Sequence, residues 1–388
     1  MTAYVPPPRD PHDLSARPAG RRVGEPRTGG EHLERPSIVE LLDRAASGRI
    51  SVVIGAAGWG KTTAVASWSQ RHPTAWLRYE DYDGVPDRLL SSLSTVLQLH
   101  LPAPTDDVAA LNADHVETAA TAMCLWAQHF LRTDLALILD DLHGLPPNSD
   151  GARIIEILCQ RAPDRLSLVL ISRKELPFSL QRLRGRGLVT EIYASDLAFD
   201  ITEVETLLRS TMGKQPAGLA GRVWECTGGW PAAVHYAVEM LRTVPSDQRL
   251  EAVGRLSHPG ERFHEYLAEE VVGTAPPWVQ QLLRRLAIVG EVRSITELGH
   301  GVTAGVTDTT SRLTELSRQG LVQRGGPHST WSLMRPLRDY FEHEAAPSAT
   351  ERVALHMTAA NEYIGQGAEA NALRHLLAAG NHAACASI

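Results

Sequence analysis

The sequence predicts an α/β fold, a parallel sheet with helices on its faces, and three observations predict it. An apolar, β-branched run from Ser51 to Ile54 leads directly into a glycine-rich loop. A second apolar run, Leu135 to Leu139, ends in two acids, Asp140 and Asp141. Around these runs, short apolar segments alternate with stretches of helical period, as a doubly wound sheet requires.

The stretch Ile50 to Thr63 organises the chain. Its loop reads Gly55-Ala56-Ala57-Gly58-Trp59-Gly60-Lys61-Thr62-Thr63, the Gly-x-x-x-x-Gly-Lys-Thr pattern of a phosphate-binding P-loop. Glycines there admit backbone conformations that side chains would block, so successive N–H groups turn inward around phosphate oxygens. Lys61 brings a point charge to the β- and γ-phosphates, Thr62 a hydroxyl to Mg²⁺, and the following helix its positive end. The strand before the loop is apolar throughout, as a central parallel strand buried on both faces should be. The pattern therefore predicts ATP or ADP with Mg²⁺ as ligand.

Residues 1–30, rich in Pro, Arg, Gly and Asp without apolar period, read as a disordered leader. A helical stripe from Glu34 to Ala46 leads into the P-loop strand. Beyond the loop the pattern gives helix Thr62 to Gln70, strand Thr74 to Arg78, and helices Pro86 to Gln98 and His115 to Leu131. The run ending at Asp140 and Asp141 then fits the second nucleotide signature. Asp140 would enter the Mg²⁺ shell, and Asp141 could orient or deprotonate an attacking water. Helix Arg153 to Arg161 follows, then strand Leu166 to Ile171 and Ser172-Arg173. A cation at that strand end could tell ATP from ADP at the γ-phosphate. Three arginines between Arg182 and Arg186 read as a solvated loop.

Composition limits what surrounds this centre. The chain has 388 residues, 43% hydrophobic and 21% charged, with a net charge of -7, which argues against a broad basic nucleic-acid surface. It has neither an apolar run long enough to span a membrane nor an N-terminal signal core, so a cytoplasmic location is expected. Cys124, Cys159, Cys226 and Cys385 form no Cys-x-x-Cys pair and read as small core residues, not as metal ligands.

In order, the chain carries Arg35-Pro36, Gly55 to Thr62, Leu139-Asp140-Asp141-Leu-His143, Ile171-Ser172-Arg173, Asp196-Leu197-Ala198-Phe199 and Thr227-Gly228-Gly229-Trp230-Pro231. This set resembles the nucleotide-binding module of STAND ATPases, in the branch of MalT and the large ATP-binding LuxR-type regulators, from about residue 31 onward. The resemblance implies a P-loop NTPase domain at 31–200, a helical lid at 201–260, a winged-helix subdomain at 261–346 and the start of TPR-like helical repeats at 347–388. It implies that Pro231 packs against adenine with Arg35 and Pro36 on the base side, and that the winged helix closes over the nucleotide. In the family a histidine before Pro-Leu contacts the β-phosphate of ADP; Met334-Arg335-Pro336-Leu337 puts arginine there. Arg335 would bind phosphate more strongly or miss it.

The winged-helix expectation rests on helices at Phe263 to Val272, Trp278 to Val289 and Thr309 to Arg318. Strands at Gly320 to Arg324 and Thr330 to Leu333 and a helix from Leu337 to His343 complete it. The helical pattern after Thr350 stops at Ile388 within a further helix, so the resemblance implies a longer regulator with its DNA-binding domain beyond. The expected function is a signal-responsive switch with slow ATP hydrolysis, an unknown inducer or regulatory partner and self-association when activated. A P-loop kinase or constitutive ATPase acting on a small acceptor is the alternative.

Overall fold

The computed structural model describes residues 33–103, 116–254, 261–298, 309–325, 330–343 and 348–388. The leader, the start of the helix expected from His115 and the turn at Gly326-Pro327 lie outside the described residues. Five strands form a parallel sheet, β1 (Ile50–Ile54), β2 (Thr74–Arg78), β3 (Leu135–Asp140), β4 (Leu166–Ser172) and β5 (Val189–Ile192), in the spatial order β2-β3-β4-β1-β5. β4 thus separates the P-loop strand from the strand ending at Asp140, with Ile50 opposite Leu168 and Leu139 opposite Leu170. β1 and β3 are buried at every position, as expected of parallel strands covered on both faces.

Helices α1 (Pro36–Ser47) and α2 (Lys61–Ser69) cover one face, where Val53, Ile138, Val169 and Trp68 share a core. Helices α3 (Pro86–Leu97), α4 (Val116–Phe130) and α5 (Asp150–Arg161) cover the other, against Val52, Leu137, Leu168 and Leu170. Alternation of side chains along each strand produces this division. α1 starts at Pro36, two residues later than expected from Glu34, because proline fits the first helical position. α5 starts earlier than Arg153, since Ser149 caps it by accepting from the Ala152 N–H.

β5 carries no strand signal in the sequence. This edge strand is four residues long and only Ile192 in it is fully buried, so it lacks an apolar run. The arginine-rich stretch before it contains a short helix, α6 (Gln181–Arg184), whose last residue pairs with Glu191 of β5 at 2.6 Å.

After α7 (Ala194–Leu197) come the helices α8 (Ile201–Met212), α9 (Leu219–Thr227), α10 (Pro231–Arg242) and α11 (Arg249–Gly254). They share a small core of their own around Val204, Leu208, Val223 and Val238. Asp200 and Glu203 close a reciprocal cap at the start of α8.

The stretch expected as one helix from Phe263 is α12 (Glu261–Tyr266) continued as a π-helical turn, Leu267–Val272. α13 (Pro277–Val289), α14 (Thr309–Arg318) and α15 (Arg335–His343) follow, with a three-stranded antiparallel sheet of order β6-β8-β7. Only two strands are expected there from the sequence. The third, β6 (Glu291–Val292), has two residues, too few for any periodic signal. β7 (Val322–Gly325) and β8 (Thr330–Leu333) sit where expected. Helices α16 (Ala349–Gly365), α17 (Glu369–Ala378) and α18 (His382–Cys385) complete the chain. Among the described residues, no helix is long and apolar enough to cross a membrane.

Candidate nucleotide-binding site

The carboxyl ends of β1, β3 and β4 meet at a cavity of about 840 Å³. Gly58 and Gly60 there have φ of 78° and 71°, the left-handed region. Gly58 has a second reason to be glycine: a Cβ on it would come within 2.7 Å of the Ala232 Cβ and 2.6 Å of the Tyr266 hydroxyl. Gly60 caps α2 without a side-chain hydrogen bond. Among the described residues, no backbone carbonyl accepts from the N–H groups of Gly58 through Thr63. An orphaned row of donors at a helix start fits an anion.

Lys61 is buried, and its Nζ donates to the Ala56 carbonyl of its own loop at 3.0 Å. Burial, with Arg173 nearby, lowers its pKa to about 8, while Asp140 and Asp141 pull it back up. The Thr62 hydroxyl donates to Asp140 Oδ2 at 3.0 Å. Burial raises the Asp140 carboxyl to about 6, helped by Asp141 and opposed by Thr62, the Asp141 N–H and Lys61. A hydroxyl and a buried carboxylate side by side, next to orphaned donors and a buried amine, suit Mg²⁺ and a polyphosphate.

Asp141 is a non-glycine residue in the left-handed region, φ 60°. Its Oδ2 is held by Arg78 at 2.6 Å and its Oδ1 lies 3.6 Å from His143 Nδ1. Arg78 ends β2 and lines the cavity. Like Arg173 it is a cation closing a strand, a signal that could have marked it in the sequence but was missed. Arg173 also lines the cavity, but its guanidinium is engaged: both terminal nitrogens reach Glu270 Oε2 at 3.2 Å. Glu270 belongs to the π-helical turn, and nothing in its local sequence signals the contact.

Gly58, Gly60, Lys61, Thr62, Thr63 and Ala57 line the cavity, whereas Gly55, Ala56, Trp59 and Pro36 do not. Trp59 turns the opposite way. It is buried and stacks on Trp230 with centroids 5.4 Å apart and planes 7° apart. Ala56 donates its N–H to the Gln319 carbonyl at 2.7 Å.

On the other side of the cavity, Pro231 begins α10 and lines the wall with Val39, Phe199, Leu207 and Val238. Arg35 lines it too, yet its donors are consumed by the Leu197 and Ala198 carbonyls, both at 2.7 Å, and by Glu203 at 2.9 Å. Its guanidinium also lies 4.5 Å over the Phe199 ring. Arg35 therefore straps the helices after Asp200 to the start of α1. Arg335 is outside the cavity: it donates to the Glu225 carbonyl at 3.3 Å and lies 3.9 Å from Asp339.

No protein-family model matches the chain. It is similar to the HTH-type transcriptional regulator MalT of Serratia proteamaculans, 28% identical over 358 residues, and to that of Yersinia enterocolitica, 26% over 357. Each match covers 89% of this chain and 39% of the relative. The chain thus resembles the MalT regulators in sequence. It spans about two fifths of the length of the curated MalT relatives it matches. Among solved structures, a Walker-type ATPase of Pyrococcus abyssi shares the fold, with a TM-score of 0.51, 12% identity, and coverage of 79% of this chain and 94% of that one.

Proposed function

We propose that this chain is an ATP/ADP-dependent switch. One observation carries the reading: the phosphate loop is clamped from behind by elements far downstream. The Ala56 N–H bonds to Gln319, Trp59 stacks on Trp230, and Arg173 pairs with Glu270. A catalytic P-loop acting on a separate acceptor has no need of such contacts; a switch does, because its ligand must distinguish two arrangements of the chain.

Gly58 to Thr63 and Lys61 would hold the phosphates, and Thr62 and Asp140 would hold Mg²⁺. The metal, when bound, supplies positive charge that neutralises the phosphate oxygens. Asp141 positions water, supported by Arg78, and hydrolysis is slow because it serves to reset the switch. Pro231 and its apolar neighbours take the base. Arg173 exchanges Glu270 for the γ-phosphate, so ATP loosens the segment 267–272 that ADP leaves in place. Release of the C-terminal elements exposes surface for self-association, in response to an inducer or a regulatory protein. The relatives' printed name, HTH-type transcriptional regulator, supports a regulatory output for this switch. The elements at 261–343 act as a winged-helix subdomain that closes the site, without a direct DNA role.

Chromatography of the nucleotide released from the denatured, purified protein tests this reading. About one ADP per chain is expected, with ATP turnover unchanged by added small-molecule acceptors. Turnover that depends strongly on an acceptor would replace the switch by a kinase.

A further inference from the structure

The amino ends of the same strands carry a second cluster of charge. Arg49 immediately precedes β1, Arg165 immediately precedes β4, and Arg132 lies three residues before β3. With Arg161 at the end of α5 they line a separate cavity of about 510 Å³, which also touches Gln128 and Asp164. This is within the usual size range of small-ligand pockets. The length of the strands, at about 3.3 Å per residue, separates it from the phosphate loop.

The charge balance there is uneven. The one carboxylate lining the cavity, Asp164, has a fully exposed side chain and reaches Arg49 only at 3.9 Å, a weak and solvent-screened pairing. Arg161 is turned toward α4, where Thr121 and Glu117 accept at 3.0 and 3.2 Å. Arg165 spends one donor on the Arg132 carbonyl. Among the described residues, the Arg132 guanidinium has no partner. The Arg49 guanidinium reaches no acceptor other than Asp164 among the described residues. Guanidinium forks match phosphate oxygens in geometry as well as in charge.

We propose that this cavity binds a small phosphorylated molecule through its phosphate or pyrophosphate group. A localised arginine cluster of this size on a chain of net charge -7 fits a small anion better than a nucleic-acid backbone, which needs an extended basic surface. The assignment is independent of the switch reading, since none of these arginines touches the phosphate loop cavity.

Inorganic pyrophosphate titrated by calorimetry into the ADP-saturated protein, in Mg²⁺-free, low-salt buffer, is the test. One saturable site per chain is expected. Arg165→Gln and Arg132→Gln should each weaken it about tenfold, the gain of one charge-assisted contact, with ADP affinity unchanged. Arg132 is exposed, so its variant folds even where Arg49→Gln does not. The absence of saturable binding, or binding indifferent to both variants, overturns the proposal. So does a single-stranded oligonucleotide that displaces pyrophosphate with higher affinity, which would make the surface a nucleic-acid contact.

Discussion

The five-stranded and three-stranded sheets bury their apolar residues in different cores, and the phosphate loop falls on the unexpected side of that division. Its strand residues Val52 and Val53 belong to the two cores of the parallel sheet. Ala56, Ala57 and Trp59, only a few residues on, belong to the core built by Phe263, Leu283, Leu321 and Trp331. A Cβ on Gly320 would lie 2.4 Å from the Trp59 ring, so the two regions meet without slack. One side of the loop offers donors to an anion; the other is part of the body that the nucleotide would control.

Removing the charge that faces the anion should have the largest effect. Lys61→Ala is expected to weaken nucleotide binding by about 100-fold or more, since a charge-assisted contact in a buried site is lost, as read by calorimetry. Loss of less than fivefold would place the phosphates elsewhere.

Breaking the opposite side tests the other half of the comparison. Trp59→Ala should destabilise the protein by about 3–5 kcal/mol through the cavity left in the second core, measured by denaturant unfolding. It should also release the C-terminal elements from nucleotide control, so that ADP and ATP give equal protease sensitivity near residue 270. Leu137→Ala, in the parallel sheet alone, should cost a similar amount and leave that difference intact.

A third prediction concerns the carboxylate between the two. Asp140 binds a proton more tightly folded than unfolded, with a pKa of about 6 against 3.8. Stability is therefore lost as pH rises from about 4 to about 6, and the deficit persists at neutral pH. Asp140→Asn should raise the stability of the nucleotide-free protein at pH 7 by roughly 1–3 kcal/mol, while abolishing Mg²⁺-dependent binding. Lys61 works in the opposite window: its folded pKa of about 8 against 10.5 means that stability rises as pH climbs through that range. A variant less stable than the parent at pH 7 would show that Asp140 contributes structure beyond the charge it buries.

The smallest effect on stability is expected from Glu270→Gln, below about 1 kcal/mol, because its ion pair with Arg173 is partly exposed. Its consequence should be functional: affinity for ATP rises relative to ADP, since Arg173 no longer has to leave a carboxylate.

How much of this was legible in the sequence follows from how local each signal is. The P-loop, Asp140 and the β1, β3 and β4 runs were readable because a strand buried on both faces is a continuous apolar segment. Arg35 was expected on the base side of the nucleotide; its contacts, with residues 162 to 168 positions away, left no local signal. The Glu270 partner of Arg173 and the Gln319 carbonyl behind Ala56 left no signal, since a single polar residue in a helix looks the same whether or not a distant loop meets it. For Arg335 the motif position left open whether it binds phosphate or misses it; at the start of α15 it lies outside the cavity and donates to the Glu225 carbonyl.

Hydrogen exchange of the full chain with ADP and with a non-hydrolysable ATP analogue, read over residues 267–272 and 319–322, tests the central claim most directly. Faster exchange in both segments with the ATP analogue than with ADP is the predicted result. Differences confined to residues 55–63 and 140–143 would contradict it, leaving a nucleotide site with no hold on the body behind it.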